Sequence, residues 1–255
     1  MTVRLALAQI DSGTDTAHNL ALIRTGFDDA AARGADLLLF PEYAMYEKKV
    51  VDGSFAAVAE PVDGPFASAL RALAREHGIA VIAGMVEAHP DGAQPYNTLI
   101  GIDADGTLVG AYRKIHLYDA YGFRESQWIS RPEPPRHVVM PIAGMHVGVM
   151  ACNDLRHPTV ASELSAAGAD ILAVCASWVP GPQKVDQWRV LAAARAIENV
   201  IVVAGVCQAP PVSIGTSLVI DPMGTVLGEL GPRPDILCVD VDPDATTLAR
   251  ERAAD

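Results

Sequence analysis

Three residues of the 255-residue chain stand where strand-like apolar runs end, and each carries a reactive side chain. In Leu37-Leu38-Leu39-Phe40-Pro41-Glu42-Tyr43, Pro41 ends the run and leaves Glu42 at its carboxyl edge. A carboxylate held against so much apolar sequence is partly desolvated and suits a general base. In Val147-Gly148-Val149-Met150-Ala151-Cys152-Asn153-Asp154-Leu155-Arg156 a strand runs into a sharp turn with a cysteine at the bend and a helix soon after. Such an elbow exposes the sulfur and sets backbone N–H groups where an oxyanion can form. Lys114 stands at the end of a hairpin strand, in Ala111-Tyr112-Arg113-Lys114-Ile115. A lysine facing inward between carboxylates stays charged and can stabilise a thiolate or an anionic tetrahedral centre. A free thiol, with a pKa of about 8.5, is only slightly ionised near neutrality, so a nearby base and cation are what it lacks. Base, cation and nucleophile together describe an acyl-transfer site.

The elements that must position these residues follow an α/β pattern, in which short β-branched runs alternate with longer Ala-rich segments. Strands are predicted near 3–9, 37–40, 79–85, 98–102, 107–113, 138–140, 147–150, 171–175, 200–206, 217–220, 226–230 and 236–241. Helices are predicted at 19–33, 65–77, 158–167, 184–199 and 243–250. Pro65, Pro158 and Pro243 stand at first helical positions, while Gly34, Gly78 and Gly168 stand where a left-handed cap is needed.

The order of elements repeats. Arg33-Gly34-Ala35-Asp36-Leu37-Leu38-Leu39 recurs as Ala167-Gly168-Ala169-Asp170-Ile171-Leu172-Ala173, and Ile79-Ala80-Val81-Ile82-Ala83-Gly84 is echoed by Ile201-Val202-Val203-Ala204-Gly205. The turn in Ile102-Asp103-Ala104-Asp105-Gly106-Thr107-Leu108 then matches the one in Ile220-Asp221-Pro222-Met223-Gly224-Thr225-Val226. Equivalent halves of about six strands and two helices favour a four-layer αββα sandwich, two stacked mixed sheets with helices on the outer faces. The dinucleotide glycine fingerprint is missing after the first strand, and neither a Walker loop nor a Gly-x-Ser-x-Gly elbow occurs.

Charge and composition narrow the partners. With 19 Lys and Arg against 31 Asp and Glu, the formal charge is −12, which argues against nucleic acid and anionic membranes. No apolar run approaches the roughly 18 residues of a membrane span. Met1-Thr2-Val3-Arg4-Leu5 enters a strand at once without a signal-peptide layout, so a cytoplasmic protein is expected. Cys152, Cys175, Cys207 and Cys238 are widely spaced in apolar sequence and read as reduced thiols, the last three as core residues. The seven histidines never fall at ligand spacing, and no metal site is expected.

Phe-Pro-Glu, then Tyr-Arg-Lys-Ile-His-Leu, then Cys-Asn-Asp-Leu-Arg, in this order, closely resemble the nitrilase superfamily of carbon–nitrogen hydrolases. The resemblance runs through nearly the whole chain. It includes Ala8-Gln9, Ala176-Ser177-Trp178, the segment Gln187-Trp188 to Asn199, and Gly215-Thr216-Ser217 with Asp221-Pro222-Met223-Gly224. It implies one αββα domain over 1–255, with Glu42 as general base, Cys152 as nucleophile and Lys114 stabilising the tetrahedral intermediates. It also implies an auxiliary carboxylate, matched by Glu125. Substrate contacts are expected from Tyr43, Tyr118, Asn153 and Trp178, in the loops that set specificity. Family members commonly dimerise through helices that include the one after the cysteine, which points to 158–167. The chain departs from the pattern at Asn153, where an aromatic residue is usual, and at Arg156-His157-Pro158-Thr159, which lacks the usual Phe and Glu. It also ends where relatives often continue into a tail across the dimer.

The implied reaction is hydrolysis of a small carboxamide, of ω-amide or deaminated-glutathione type, to acid and ammonia through a thioester, with no cofactor. The same residues can process a nitrile or an N-carbamoyl group, and a silent binding protein could keep the fold. Arg113, Arg124, Arg131 and Arg136 cluster around Lys114 in an otherwise acidic chain. They either pair with Asp119, Glu125 and Glu133 or hold a substrate carboxylate. An active thiol predicts that iodoacetamide alkylates Cys152 faster than Cys175, Cys207 or Cys238, read by peptide mass spectrometry; no preference would favour a silent protein.

Overall fold

The strands read as unbroken apolar runs because both of their faces are covered. The computed structural model describes residues 2–253. One sheet contains β1 (Val3–Gln9), β2 (Leu37–Leu39), β3 (Ala80–Glu87), β4 (Tyr96–Ile102), β5 (Leu108–Arg113) and β12 (Asp235–Val241), in the order β12-β1-β2-β3-β4-β5. The other contains β6 (Val139–Ile142), β7 (Met145–Ala151), β8 (Ile171–Ala176), β9 (Val202–Cys207), β10 (Leu218–Ile220) and β11 (Val226–Glu229), in the order β11-β10-β9-β8-β7-β6. The two sheets repeat one connectivity. β1, β2 and β3 are mutually parallel and β4 and β5 follow antiparallel, as do β7, β8, β9 and then β10 and β11. Both closing hairpins even shift register at the same place, after Gly101 and after Val219. The internal echo in the sequence is thus an echo of topology.

Alternation along each strand divides the core into three seams. Leu37 and Leu39 point between the sheets, where they join Leu5, Leu7, Val147, Val149 and Ile171. Leu38 and Phe40 point outward against Ile23 and Phe27 of α1 (Thr16–Ala32) and Phe66 and Leu70 of α3 (Pro65–His77). On the far side, Met150, Leu172 and Val174 pack under Val160 and Leu164 of α4 (Pro158–Ala166) and Trp188 and Ala192 of α5 (Lys184–Asn199). The layers are therefore helix, sheet, sheet, helix, as expected.

Differences from the predicted elements are local. α1 begins earlier, because Asp15 caps it by accepting from the N–H groups of Ala17 (3.0 Å) and His18 (3.1 Å). α2 (Ser54–Val58) is too short to show a helical period, and α6 (Pro243–Ala253) runs past residue 250. β4 starts at Tyr96 rather than Thr98, which places Asn97 inside the strand. Among the described residues no helix is long and apolar enough to cross a membrane.

The segment bearing Glu42 lies directly on β3. A Cβ built on Gly84 would stand 2.4 Å from the Tyr43 nitrogen and 2.7 Å from the Pro41 carbonyl oxygen. Both are backbone atoms, so relief requires moving the loop itself. Gly84→Ala should lower unfolding stability by about 1–3 kcal/mol and displace Glu42; an unchanged denaturation midpoint with full activity would show that the loop yields freely.

Candidate active site

The four residues expected to act together meet at one edge of the sandwich, each delivered by the end of an element. Glu42 follows β2, Lys114 follows β5 and Cys152 follows β7, while Glu125 opens a 3-10 turn, Glu125–Gln127. All four are buried. The Lys114 ammonium donates to Glu42 Oε1 (2.8 Å) and to Glu125 Oε2 (2.9 Å). Asn97 Nδ2 donates to the same two carboxylates, to Glu42 Oε1 at 2.7 Å and Glu125 Oε1 at 3.0 Å. Glu125 also accepts from the Tyr43 hydroxyl (2.8 Å) and the Tyr118 N–H (2.7 Å).

This pairing decides the charges. Burial opposes an ionised Lys114, yet Glu125 and Glu42 outweigh it and hold its pKa well above the ordinary value. Burial likewise opposes an ionised Glu125, but the attraction of Lys114 and its hydrogen bonds keep that pKa below the carboxyl value. The Cys152 thiol has a different balance. Burial raises its pKa well above the ordinary value, and Glu42 adds to this more than Lys114 subtracts. Cys175 and Cys207 are also pushed up by burial, Cys207 to about 12, as befits core thiols.

Ser177, just past β8, links Glu42 and Cys152. Its N–H donates to Glu42 Oε2 (2.8 Å), and its carbonyl accepts from Cys152 Sγ (3.7 Å). Cys152 adopts φ 41° and opens a 3-10 turn, Cys152–Arg156. A left-handed φ at a residue with a side chain stores strain and must be held by its surroundings. The holder is Asp154, fully buried, whose Oδ2 accepts from the Ala151 N–H (2.9 Å) and the Tyr112 hydroxyl (2.6 Å) and whose Oδ1 accepts from the His116 N–H (3.2 Å). One carboxylate thus ties the cysteine turn to the strand end that carries Lys114.

Tyr43, Tyr118, Asn153 and Trp178 line a pocket above Cys152. Each also has a structural bond. Besides the two given for Tyr43 and Tyr118, Asn153 Nδ2 donates to the Leu117 carbonyl (3.2 Å) and the Trp178 indole to the Lys184 carbonyl (3.0 Å). Of the arginines clustered near Lys114, Arg113 pairs with Glu87 (2.6 Å) and lies over Tyr96, away from this pocket, whereas Arg124 lines it. The expected pairing of those arginines with Glu125 does not form, because Lys114 occupies that carboxylate. The pocket is also lined by Lys48 and Lys49, by Arg156, stacked 4.5 Å over Trp178, and by Lys184, which donates to the Tyr118 hydroxyl (3.2 Å).

Residue-type reasoning passed over Asn97, Arg156 and Lys184. Arg156 had a signal, four residues after Cys152 at the end of the same short turn. Asn97 had none, because its role depends on its register beside Lys114, whose N–H donates to the Asn97 carbonyl (2.8 Å). Among the described residues no group of three or more His, Cys, Asp or Glu side chains is arranged to hold a metal ion.

A family model described as carbon-nitrogen hydrolase matches residues 4–251. The chain is 42% identical to a hydrolase of Mycobacterium tuberculosis, covering 99% of this chain and 94% of that one. It is 32% identical to the deaminated glutathione amidase of Escherichia coli O157:H7, over 87% and 83% of the two chains. Among solved structures it is similar to a glutamine-for-glutamate variant of the amidase from Nesterenkonia sp. AN1, in which acrylamide has added to the active-site cysteine. That match has a TM-score of 0.83 at 30% identity, over 99% of this chain and 98% of that one. The chain belongs to the carbon-nitrogen hydrolase family, within the nitrilase superfamily. It is a hydrolase of non-peptide carbon–nitrogen bonds.

Removing the shared cation should be the most damaging single change in the cluster. Lys114→Met leaves two buried carboxylates without their counter-ion, at a cost of about 3–5 kcal/mol. Chemical denaturation of this variant checks it; a loss below about 1 kcal/mol would mean that water replaces the ammonium.

Proposed function

We propose that the chain is one hydrolase domain that cleaves a small carboxamide to acid and ammonia through a thioester on Cys152. The observation that carries this reading is the bonding of Ser177, which joins Glu42 and Cys152 at the pocket floor. Glu42 takes the Sγ proton as the sulfur attacks the amide carbon, and the carbonyl electron pair moves to oxygen. Lys114 and the Asn153 N–H stabilise that oxyanion. As the intermediate collapses, Glu42 returns the proton to the nitrogen, and ammonia leaves. Water then attacks the thioester, giving its proton to Glu42, and the acid departs as the thiol is restored. Glu125 acts by fixing Lys114 and orienting the substrate amide.

Two pocket cations support an ω-amide of an acid. Arg156 and Lys184 bond to the neutral partners Gln187 (2.9 Å) and Tyr118, and neither makes a salt bridge among the described residues. They remain available to a substrate carboxylate, the role that sequence had suggested for arginines near Lys114. The name of the Escherichia coli relative agrees with an anionic amide. The protein is further proposed to act in the cytoplasm, consistent with four free thiols, and as a homodimer. The exposed Val190 and Ile197 of α5 and Met223 beside them suit such an interface, next to the α4 helix that the resemblance implies.

Ammonia release from a panel of ω-amides, with identification of the acid, tests this function. Cys152→Ala should lower kcat by about a thousandfold or more; activity left intact would refute the thioester. Arg156→Met should raise KM for ω-amides about tenfold to a hundredfold with kcat less affected; an unchanged KM would remove Arg156 from substrate binding.

A further inference from the structure

Five residues beyond Glu42, the same loop carries a second carboxyl group that the proposed reaction does not use. Glu47 is buried, only 3% exposed, and lines the pocket with Glu42, Ser177 and Cys152. Its backbone is fixed, with its N–H donating to the Gly13 carbonyl (3.0 Å). Its Oε1 accepts from the Lys48 N–H (2.8 Å), while its Oε2 has no hydrogen-bond partner. Among the described residues three other side chains, His77, Asn97 and His137, hold a buried polar atom in that condition, and none of them lines the pocket. A buried polar atom without a partner is costly, and one on a residue that lines a pocket points to a partner that arrives with the ligand.

We propose that Glu47 is a specificity residue of this pocket, donating a hydrogen bond from Oε2 to an oxygen on the acyl chain of the substrate beyond the scissile amide. The surroundings leave Glu47 little choice but to be a donor. Two cations of the pocket are engaged elsewhere, the Lys48 ammonium with Asp52 and Lys114 with Glu42 and Glu125, and Lys49 is exposed. Burial raises the pKa of Glu47 well above the carboxyl value, and Glu42 and Glu125 add to this. The Ser177 hydroxyl lowers it by less and makes no hydrogen bond to Oε2. Since Oε1 already accepts, the proton belongs on Oε2, which becomes an O–H without an acceptor.

The acceptor is not the scissile carbonyl oxygen, which the proposed reaction gives to Lys114 and the Asn153 N–H. It is a further oxygen, such as the carboxylate, keto or hydroxyl oxygen of a short acyl chain. A site built to hydrogen-bond such an oxygen rejects analogues that lack it, because its own polar group is then left unpaired. Glu47 would therefore select oxygen-bearing ω-amides over plain alkyl amides.

This inference rests on the amidase reading, and the test separates the two. Initial rates of ammonia release are measured for succinamate against butyramide, and for glutaramate against valeramide, with the wild type, Glu47→Leu and Glu47→Gln. Glu47→Leu should lower kcat/KM for the ω-amides at least tenfold and leave the alkyl amides within about twofold. Glu47→Gln, which keeps a donor in the same shape, should stay within about threefold on both. If Glu47→Leu does not fold, judged by its thermal transition, Glu47→Met carries the same comparison. Equal losses on both substrate types, or a Gln variant as impaired as the Leu variant, would overturn the role of Glu47 alone. A wild type that releases ammonia from none of the four would overturn the amidase reading and this inference with it.

Discussion

A lysine ammonium buried between two carboxylates is the constraint on which the rest of the site depends. None of Lys114, Glu42 and Glu125 is tolerable alone in that interior, because an isolated ion loses its hydration without recompense. Bound together, and with Asn97 donating to both carboxylates, they form a polar unit in which every bond has a direction. The members come from strand ends and a turn distant in sequence. Their pairing therefore locks the loop after β2, the strand end after β5 and the 3-10 turn at Glu125 into one arrangement. Tyr43 shows how firmly, since it is held at φ 58° while its hydroxyl reaches Glu125.

The same balance governs the thiol. A cation beside a cysteine is commonly taken to produce a standing thiolate. Here Lys114 is already shared by two carboxylates, and its attraction for a thiolate is smaller than the effect of burial and of Glu42. The resting sulfur is therefore a thiol, and in the proposed reaction its activation waits for a carbonyl carbon and for Glu42 to receive the proton.

Much of this was legible in the sequence because local rules and global fold agree. Pro41, the Gly-capped helix ends and the repeated helix–Gly–strand junctions are written in residue types, and they place Glu42, Lys114 and Cys152 at strand ends. What escaped depends on three-dimensional register. Asn97 reads as an ordinary residue before a strand until β4 is seen to begin two residues earlier than predicted, at Tyr96, and to run beside the Lys114 segment. Arg113 looked as available as Arg124, yet only the placement of β3 and β5 on either side of β4 shows that Glu87 holds it. Arg156 and Lys184 face the pocket because the turn after Cys152 and the start of α5 converge on Trp178, a contact between segments some thirty residues apart.

The repeat of topology places the buried cluster between the halves rather than within either. Glu42 and Lys114 come from one sheet, Cys152 and Ser177 from the other, and Asp154 bonds across them to Tyr112 and His116. Neither half holds Glu42 and Cys152 by itself. The most direct test of the electrostatics is the titration of Cys152, followed as the ultraviolet thiolate absorbance of the wild type minus that of Cys152→Ala. A proton held by burial and by Glu42 predicts no thiolate step at or below the ordinary thiol pKa of about 8.5. A step near or below neutral pH would contradict it, and would mean that Lys114 governs the sulfur after all.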